Sequence, residues 1–195
     1  MKPKALVIVA HPDDETIWMG GTLFKNKKKW DTTIICLTRE SDKDRNPKFK
    51  KACKILGAKS YIYNLNDKDL HKPLHKNHIL EIIKKHSKIK YNIIFTHGQN
   101  GEYGHPRHKE IHKAIKFAIK DKILKSKKVF FFSYLKRNNN FQGYSIYNSS
   151  ANILIKLNRD QLSMKKKLIQ KVYGYQKDGF EEKSCENIES FNKLK

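Results

Sequence analysis

Two groups of histidine and carboxylate side chains follow apolar segments of the chain, and both contain residue types that bind metal ions. The first is AHPDDE, residues 10–15, which ends the apolar run ALVIVA. The second is HGQNGEYGHPRHKEIH, residues 97–112, which follows YNIIFT and holds four of the nine histidines. Zn²⁺ accepts imidazole nitrogen and carboxylate oxygen, and a catalytic zinc site has three protein ligands with a position left for water. Two ligands from the first group and one from the second would complete such a site.

A simpler interpretation of each group is helix capping. Asp13, Asp14 or Glu15 would interact favourably with the dipole at the start of the next helix. Capping explains either group alone about as well as metal binding does. Both groups together, at the ends of two strands that are predicted to be central, favour the metal site.

The elements that must position these groups alternate along the chain. Short apolar segments without period-2 alternation indicate strands that are buried on both faces, as in a parallel sheet covered by helices. Such strands are predicted at 5–10, 32–37, 60–63, 91–96 and 128–134, and helices at 15–29, 47–56, 77–88 and 107–125. This order predicts an α/β fold with a Rossmann-like, doubly wound, mostly parallel sheet and helices on both faces.

In such sheets the active site lies beyond the carboxyl ends of the strands, where the strand order reverses. If the first and fourth strands are neighbours there, the two groups converge on one pocket. The first turn reads HPDDE rather than GxGxxG, so a pyrophosphate would meet carboxylates instead of bare amides, and a nicotinamide or flavin cofactor is not expected.

The C-terminal part has a different pattern. One or two further strands are predicted at 144–157, a polar loop at 137–140 and a basic amphipathic helix at 161–176. The polar tail after Asp178 is expected to pack loosely. No repeat or linker divides the chain, so residues 1–195 are predicted to form a single domain.

The formal net charge of +23 suggests nucleic acid as a partner, but only five of the 42 basic residues are arginine. Phosphate and base recognition favours arginine interleaved with aromatic residues, and the lysines are instead spread along the chain. Nucleic acid is therefore not the expected partner, although the basic surface could steer an anionic substrate. The pattern does not determine an oligomeric state.

The three cysteines are scattered and odd in number, which favours reduced thiols and a cytoplasmic location. The short apolar run near the start leads directly into carboxylates, so a signal peptide is not expected. No stretch of about 18 apolar residues predicts a membrane span.

AHPDDE with GGTL at 20–23, followed by THGQNGEYGHPRH at 96–108, resembles the PIG-L/LmbE-like family of zinc-dependent de-N-acetylases. The resemblance extends to Arg45, to DKDL at 67–70 and to the helix at 156–176, which ends in glutamine in the family. It implies a hydrolase that removes an acetyl group from an N-acetylated sugar or sugar conjugate. Zn²⁺ is the implied metal, and another divalent ion such as Fe²⁺ is an alternative.

The resemblance also implies a role for each residue that matches a family position. Asp13 matches the general base, His105 the residue that stabilises the oxyanion or protonates the leaving amine, and Tyr103 a tyrosine near that oxyanion. The implied metal ligands are His11, Asp14 and His108, and the implied substrate contacts are Arg45 and Asp67.

One departure from the family concerns Arg107, which stands where many relatives have an aspartate that orients His105. A cation beside His105 would lower its pKa. Arg107 would otherwise point to solvent or bind a substrate anion, and Glu102 would then be a candidate to orient His105. Because of Arg107, an inactive member of the family is an alternative to an active enzyme.

Two further functions fit the residues less closely than a sugar de-N-acetylase. One is a metal amidase acting on a non-sugar acylated amine. The other is a basic, non-catalytic nucleic-acid-binding protein on a Rossmann-like scaffold.

Trp18 is expected in the core, with a place in the pocket wall as the alternative, and His112 is interpreted as a helix-face residue.

Overall fold

A computed structural model describes residues 1–137 and 143–194. The predicted alternation of strands and helices is present, with ends that shift by a few residues. Strands and helices follow in the order β1 Lys4–Val9, α1 Asp14–Asn26, β2 Asp31–Thr38, α2 Arg45–Ile55, β3 Ala58–Leu65, α3 Lys76–Lys84, β4 Tyr91–Thr96, α4 Pro106–Lys120 and β5 Ser126–Phe132. The C-terminal part adds β6 Tyr134–Arg137, β7 Tyr144–Tyr147, β8 Ile153–Lys156, α5 Arg159–Lys167, α6 Phe180–Lys183 and β9 Ile188–Lys193.

The main sheet has seven strands in the order β3-β2-β1-β4-β5-β9-β8. The first five strands of this order run parallel to one another. Strand β9 pairs antiparallel with β5, and β8 pairs antiparallel with β9. The chain leaves β1 toward β2 and β3 and then returns to the other side of β1 as β4. The strand order therefore reverses between β1 and β4, which confirms the predicted doubly wound fold.

Helices cover both faces of the sheet and form two apolar cores. One core includes residues of α1 and α2 with Leu168, Ile169 and Tyr173, and the other includes residues of α3 and α4. The central strand β1 contributes alternate residues to each, since Val7 and Val9 face the first core while Leu6 and Ile8 face the second. Burial on both faces explains why this strand reads as a continuous apolar run.

The expectation of a loosely packed tail after Asp178 is wrong. Strand β9 lies between β5 and β8, and Phe191 within it is 1% exposed. The buried carboxylate of Glu189 accepts the amides of Gly21 and Thr22 at 2.8 Å and pairs with the buried Lys165. Polar composition suggested a loose tail, but its polar groups bond to α1 and α5.

The region between β5 and α5 differs in part from its prediction. Strands β6 and β7 pair in a separate two-stranded sheet, and β8 joins the main sheet. The expected polar loop at 137–140 lies outside the described residues from 138 onward. The helix predicted at 161–176 begins as α5, continues as a π-helical segment over Leu168–Tyr173, and ends at Gly174, whose φ is 81°. Over 1–137 and 143–194, no helix combines the length and apolar character needed to cross a membrane.

Candidate active site

The turn after β1 and the loop after β4 meet at the point where the strand order reverses. His11 Nδ1, Asp14 Oδ2 and His108 Nε2 form a triangle at their meeting point. The His11–Asp14 and His108–Asp14 sides are 3.4 Å, and the His108–His11 side is 3.3 Å. The structure thus brings together three atoms from the residues that the sequence motifs implied as metal ligands, although His108 is distant from the other two in sequence.

The size of this triangle fits a zinc ion. A tetrahedral site with metal–ligand bonds of about 2.0–2.1 Å has edges of about 3.3–3.4 Å. Two imidazole nitrogens and one carboxylate oxygen are also donors that Zn²⁺ accepts. The residues therefore suit a divalent metal with three protein ligands and an open position.

Two other sets of candidate ligand atoms lie nearby, one with His105 and one with His97. The backbone amide of Ala10 donates to His97 Nε2 at 2.9 Å, and the amide of Arg107 donates to His105 Nδ1 at 3.2 Å. These bonds occupy the lone pair of one nitrogen in each ring, so the other nitrogen carries the proton in the neutral form. The hydrogen bonds therefore favour the set with His11, Asp14 and His108.

Each of the three candidate ligands is oriented by a second bond. The indole of Trp18 donates to Asp14 Oδ1 at 2.8 Å. His11 Nε2 lies 3.0 Å from Asp67 Oδ1, and His108 Nδ1 lies 2.5 Å from Glu102 Oε2. Partners of this kind fix the tautomer and ring orientation of metal-binding histidines.

Asp13 stands beside the triangle with a left-handed backbone, φ 121°. Its amide donates to Glu15 at 3.1 Å, and its carboxylate accepts from the hydroxyl of Tyr175. Burial, and then the neighbouring charge of Asp14, raise the pKa of Asp13 well above its usual range. A buried carboxyl with a raised pKa has the affinity for protons that a general base requires.

His105 caps the N-terminus of helix α4 and lies beside the rings of His11 and His108, with ring centres 4.7 Å from each. Burial, and then the neighbouring histidines, lower its pKa to about 3. The neutral ring accepts the Arg107 amide at Nδ1, so its proton lies on Nε2. His105 can therefore donate a hydrogen bond from Nε2. Its pKa is lowered by burial and the neighbouring histidines and not by the guanidinium of Arg107.

These side chains open onto a cavity of about 360 Å³. Its wall combines the acidic and histidine groups with aromatic surfaces and two guanidinium groups. The residues around it include His11, Asp13, Asp14, Trp18, Arg39, Arg45, Asp67, Leu70, Tyr103, His105, Tyr175 and Phe180, of which Trp18 is fully buried. Arg45 lies over the ring of Tyr175 at 4.4 Å, and its Nη1 has no hydrogen-bond partner within 1–137 and 143–194.

Arg107 does not reach this cavity, so its assignment as a substrate contact is wrong. Its side chain is 0% exposed and donates to the carbonyls of Asp69 and Lys72 at 2.7 and 3.0 Å. It also pairs with Glu110 at 3.0 Å. Arg107 therefore holds the loop after β3 against helix α4.

Asp67 lines the cavity, but its carboxylate is already engaged. One oxygen faces His11, and the other accepts from Arg39 at 2.8 and 2.9 Å. Glu102 likewise contacts His97 and His108 rather than His105. Sequence reasoning did not find the contacts made by His97, Trp18, Arg39 and Tyr175. The first two and Tyr175 lie in or beside the segments that carry the motifs, whereas Arg39 directly follows β2.

The model of the PIG-L family, described as GlcNAc-PI de-N-acetylase, matches residues 6–119. This match covers both strand-end motifs and more than half of the chain. The chain belongs to the PIG-L family. The PIG-L match ends within helix α4, so the C-terminal strands and α5 lie beyond it.

Among curated proteins, the uncharacterized protein L374 of Acanthamoeba polyphaga mimivirus is 28% identical over 134 residues. This match covers 58% of the chain and 57% of the relative, so the chain spans little more than half of that protein.

Several solved structures share the fold. The conserved protein TT1542 from Thermus thermophilus has a TM-score of 0.71 and 19% identity, with 96% of this chain and 93% of that chain covered. An N,N'-diacetylchitobiose deacetylase from Pyrococcus horikoshii has a TM-score of 0.70 and 18% identity, with 98% and 83% covered. At this identity the likeness establishes the PIG-L-type α/β fold alone.

Proposed function

We propose that this PIG-L protein is a metal-dependent de-N-acetylase that acts on an N-acetylated sugar or sugar conjugate, with Zn²⁺ as the metal. The observation that carries the proposal is the 3.3–3.4 Å triangle of His11, Asp14 and His108. Asp13 and His105 line the cavity onto which this triangle opens. Family membership and the deacetylase among the structural neighbours support the same chemistry.

Hydrolysis of an acetamide needs an activated water, stabilisation of an oxyanion and a proton for the leaving nitrogen. A divalent metal bound by the three ligands would polarise the carbonyl and make water more acidic. Asp13 accepts a proton from the attacking water, whose oxygen bonds to the carbonyl carbon. Asp13 then returns this proton to the amide nitrogen as the carbon–nitrogen bond breaks, which gives acetic acid and a free amine. The acid proton passes to the amine, so that acetate and an ammonium group leave.

The oxyanion requires hydrogen-bond donors that remain protonated. His105 supplies its Nε2 proton because Nδ1 accepts the amide of Arg107. Tyr103 lies next to His105, with ring centres 5.6 Å apart, and burial raises the pKa of its hydroxyl well above the usual range. Both side chains therefore act as neutral donors to the oxyanion.

The cavity wall suits a sugar ring. Tyr103 and Phe180 present aromatic surface, and the apolar face of a pyranose packs on such surface while its hydroxyls bond at the edge. Arg45 is placed to bond these hydroxyls or an attached group, because its side chain lines the cavity. We therefore expect the substrate to be a small N-acetylated molecule.

The cytoplasmic location stays a prediction, which rests on the cysteines.

The experiment that tests the proposal measures metal content together with acetate release from a panel of N-acetylhexosamine conjugates. We expect activity to be lost on chelation and restored by Zn²⁺, with Fe²⁺ as the comparison metal. Release of amine only from non-sugar acylated amines would replace the sugar assignment with a different amidase. Salt-sensitive nucleic-acid binding that persists in His11→Ala and Asp14→Ala, without hydrolysis, would replace the enzyme with a binding protein.

A further inference from the structure

Glu102 is a buried carboxylate that joins the two halves of the candidate metal site. It is 1% exposed, and its Oε1 accepts the amide of Gly98 at 2.7 Å. Its Oε2 lies 2.9 Å from His97 Nδ1 and 2.5 Å from His108 Nδ1. One oxygen atom thus faces an imidazole nitrogen from each of two histidines.

These contacts determine where each imidazole carries its proton. A carboxylate oxygen only accepts, so both Nδ1 atoms must donate. The lone pairs of both neutral rings then lie on Nε2. In His108 this atom forms a corner of the metal triangle, and in His97 it accepts the amide of Ala10 at 2.9 Å.

His97 extends the effect of Glu102 to the other half of the site. Ala10 directly precedes His11, so the bond from its amide anchors the turn that carries two of the three ligands. The ring of His97 also stacks on His108, with centres 3.8 Å apart and planes 20° apart. Glu102 therefore acts on His108 directly and on the first turn through His97.

The backbone supports a specific role for this residue. Glu102 has φ 58°, in the left-handed region that residues with a side chain rarely adopt. The backbone of Gly98 also lies close to Phe132 and Glu102. A Cβ at position 98 would lie 2.2 Å from the carbonyl oxygen of Phe132 and 3.3 Å from Glu102 Oε1. A glycine at 102 would relieve the backbone, but it would remove the carboxylate on which both histidines depend.

We propose that Glu102 is a positioning residue that, together with His97, sets the imidazole tautomers and thereby the metal affinity of this site. The inference rests on the proposed function only for the presence of a metal at His11, Asp14 and His108. Outer carboxylates of metal-binding histidines typically change metal affinity by about 10–100-fold. The same range is expected here.

The test uses Glu102→Gln and a matched control, Glu189→Gln. Glu189 is also fully buried and also accepts backbone amides, from Gly21 and Thr22, but it lies on β9 and holds helix α1. Glutamine at 102 must place its NH₂ group against N–H donors, either the two imidazoles or Gly98. The measurements are Zn²⁺ affinity by competition with a chromophoric chelator and the imidazole tautomers by ¹⁵N NMR of the metal-free protein.

We expect Glu102→Gln to bind Zn²⁺ about 10–100-fold more weakly than wild type. We also expect the metal-free Glu102→Gln protein to show a new Nε2-protonated form of His97 or His108. Glu189→Gln should keep wild-type affinity and tautomers even if it is less stable. Wild-type affinity and tautomers in Glu102→Gln would overturn the inference.

A second variant keeps the proposal testable if Glu102→Gln does not fold. His97→Phe retains an aromatic ring against His108 and removes the acceptor of the Ala10 amide, so metal affinity should also fall. Unchanged affinity in His97→Phe would contradict the link through the first turn. Tight wild-type metal binding that depends on Glu102, without acetate release, would support the inference and refute the de-N-acetylase. Acetate release with equal metal affinity in wild type and Glu102→Gln would do the reverse.

Discussion

The hydroxyl of Tyr175 donates to the carboxylate of Asp13, although the two residues are 162 positions apart. Tyr175 follows the π-helical segment and also stacks under Arg45. The C-terminal part of the chain thus holds both the proposed base and a proposed substrate contact.

Tyr175→Phe should lower kcat for acetate release by about tenfold, because a misplaced catalytic group loses rate steeply with small displacements. KM should change less, since the ring that supports Arg45 remains. Tyr173→Phe is the matched control, because Tyr173 is a buried tyrosine whose hydroxyl donates to Glu15 at 2.7 Å. It should cost about 1 kcal/mol of unfolding free energy and leave kcat near wild type. Equal kcat in Tyr175→Phe and wild type would contradict the positioning of Asp13.

Asp13→Asn should abolish most of the activity while the metal stays bound. Asparagine keeps the shape and an acceptor for Tyr175, and it tolerates left-handed backbone better than most residues. It cannot accept the proton of water, so kcat should fall about 10²–10⁴-fold. Metal analysis and kcat of the same preparation check the prediction, and an unaltered rate would exclude Asp13 as the base.

Zn²⁺ should stabilise the wild-type protein against thermal unfolding. A ligand that binds only the folded state adds about 2.7 kcal/mol at 100 times its Kd. His108→Ala removes one corner of the triangle and should lose this stabilisation, whereas His78→Ala should keep it, because His78 is exposed on α3 away from the site. Differential scanning calorimetry with and without Zn²⁺ measures both. If Zn²⁺ raised the Tm of His108→Ala by as much as it raises the Tm of wild type, the metal would bind elsewhere.

Arg107→Met should reduce stability rather than substrate affinity. The substitution leaves two carbonyls and Glu110 without the guanidinium that pairs with them. Arg107 is fully buried but Glu110 is 20% exposed, so the loss of these hydrogen bonds should cost about 1–3 kcal/mol. Urea unfolding should show this loss, while KM measured well below the unfolding transition stays within about twofold of wild type. A large rise in KM with unchanged stability would restore Arg107 as a substrate contact.

Local patterns were sufficient to predict the parallel sheet and its helices. Strands buried on both faces must be apolar along their whole length, and the run 91–96 coincides with β4 Tyr91–Thr96. The alternation of elements did not fix the strand order, and the structure supplies the neighbourhood of β1 and β4 that the prediction required. The strand-end groups indicated a metal site, and the resemblance to the PIG-L/LmbE-like family implied His11, Asp14 and His108 as its ligands.

The partners of polar side chains could not be predicted in this way. Arg107 sits in a motif and yet binds the carbonyls of a loop more than 30 positions away. The tail reads as polar, but β9 bonds its polar groups to α1 and α5. Composition reports which groups need partners and does not report where the partners lie.

The sequence by itself determined the fold class, because periodicity is a local property, and its motifs implied the three candidate metal ligands through the family resemblance. Only the tertiary structure decided that Glu102 serves His97 and His108, that Tyr175 holds Asp13, and that Arg107 is structural. Those relationships depend on distances between segments that are far apart in the chain. Whether two groups form a hydrogen bond depends on differences of a fraction of an ångström in their distance. The spacing of residues along the chain does not give that distance.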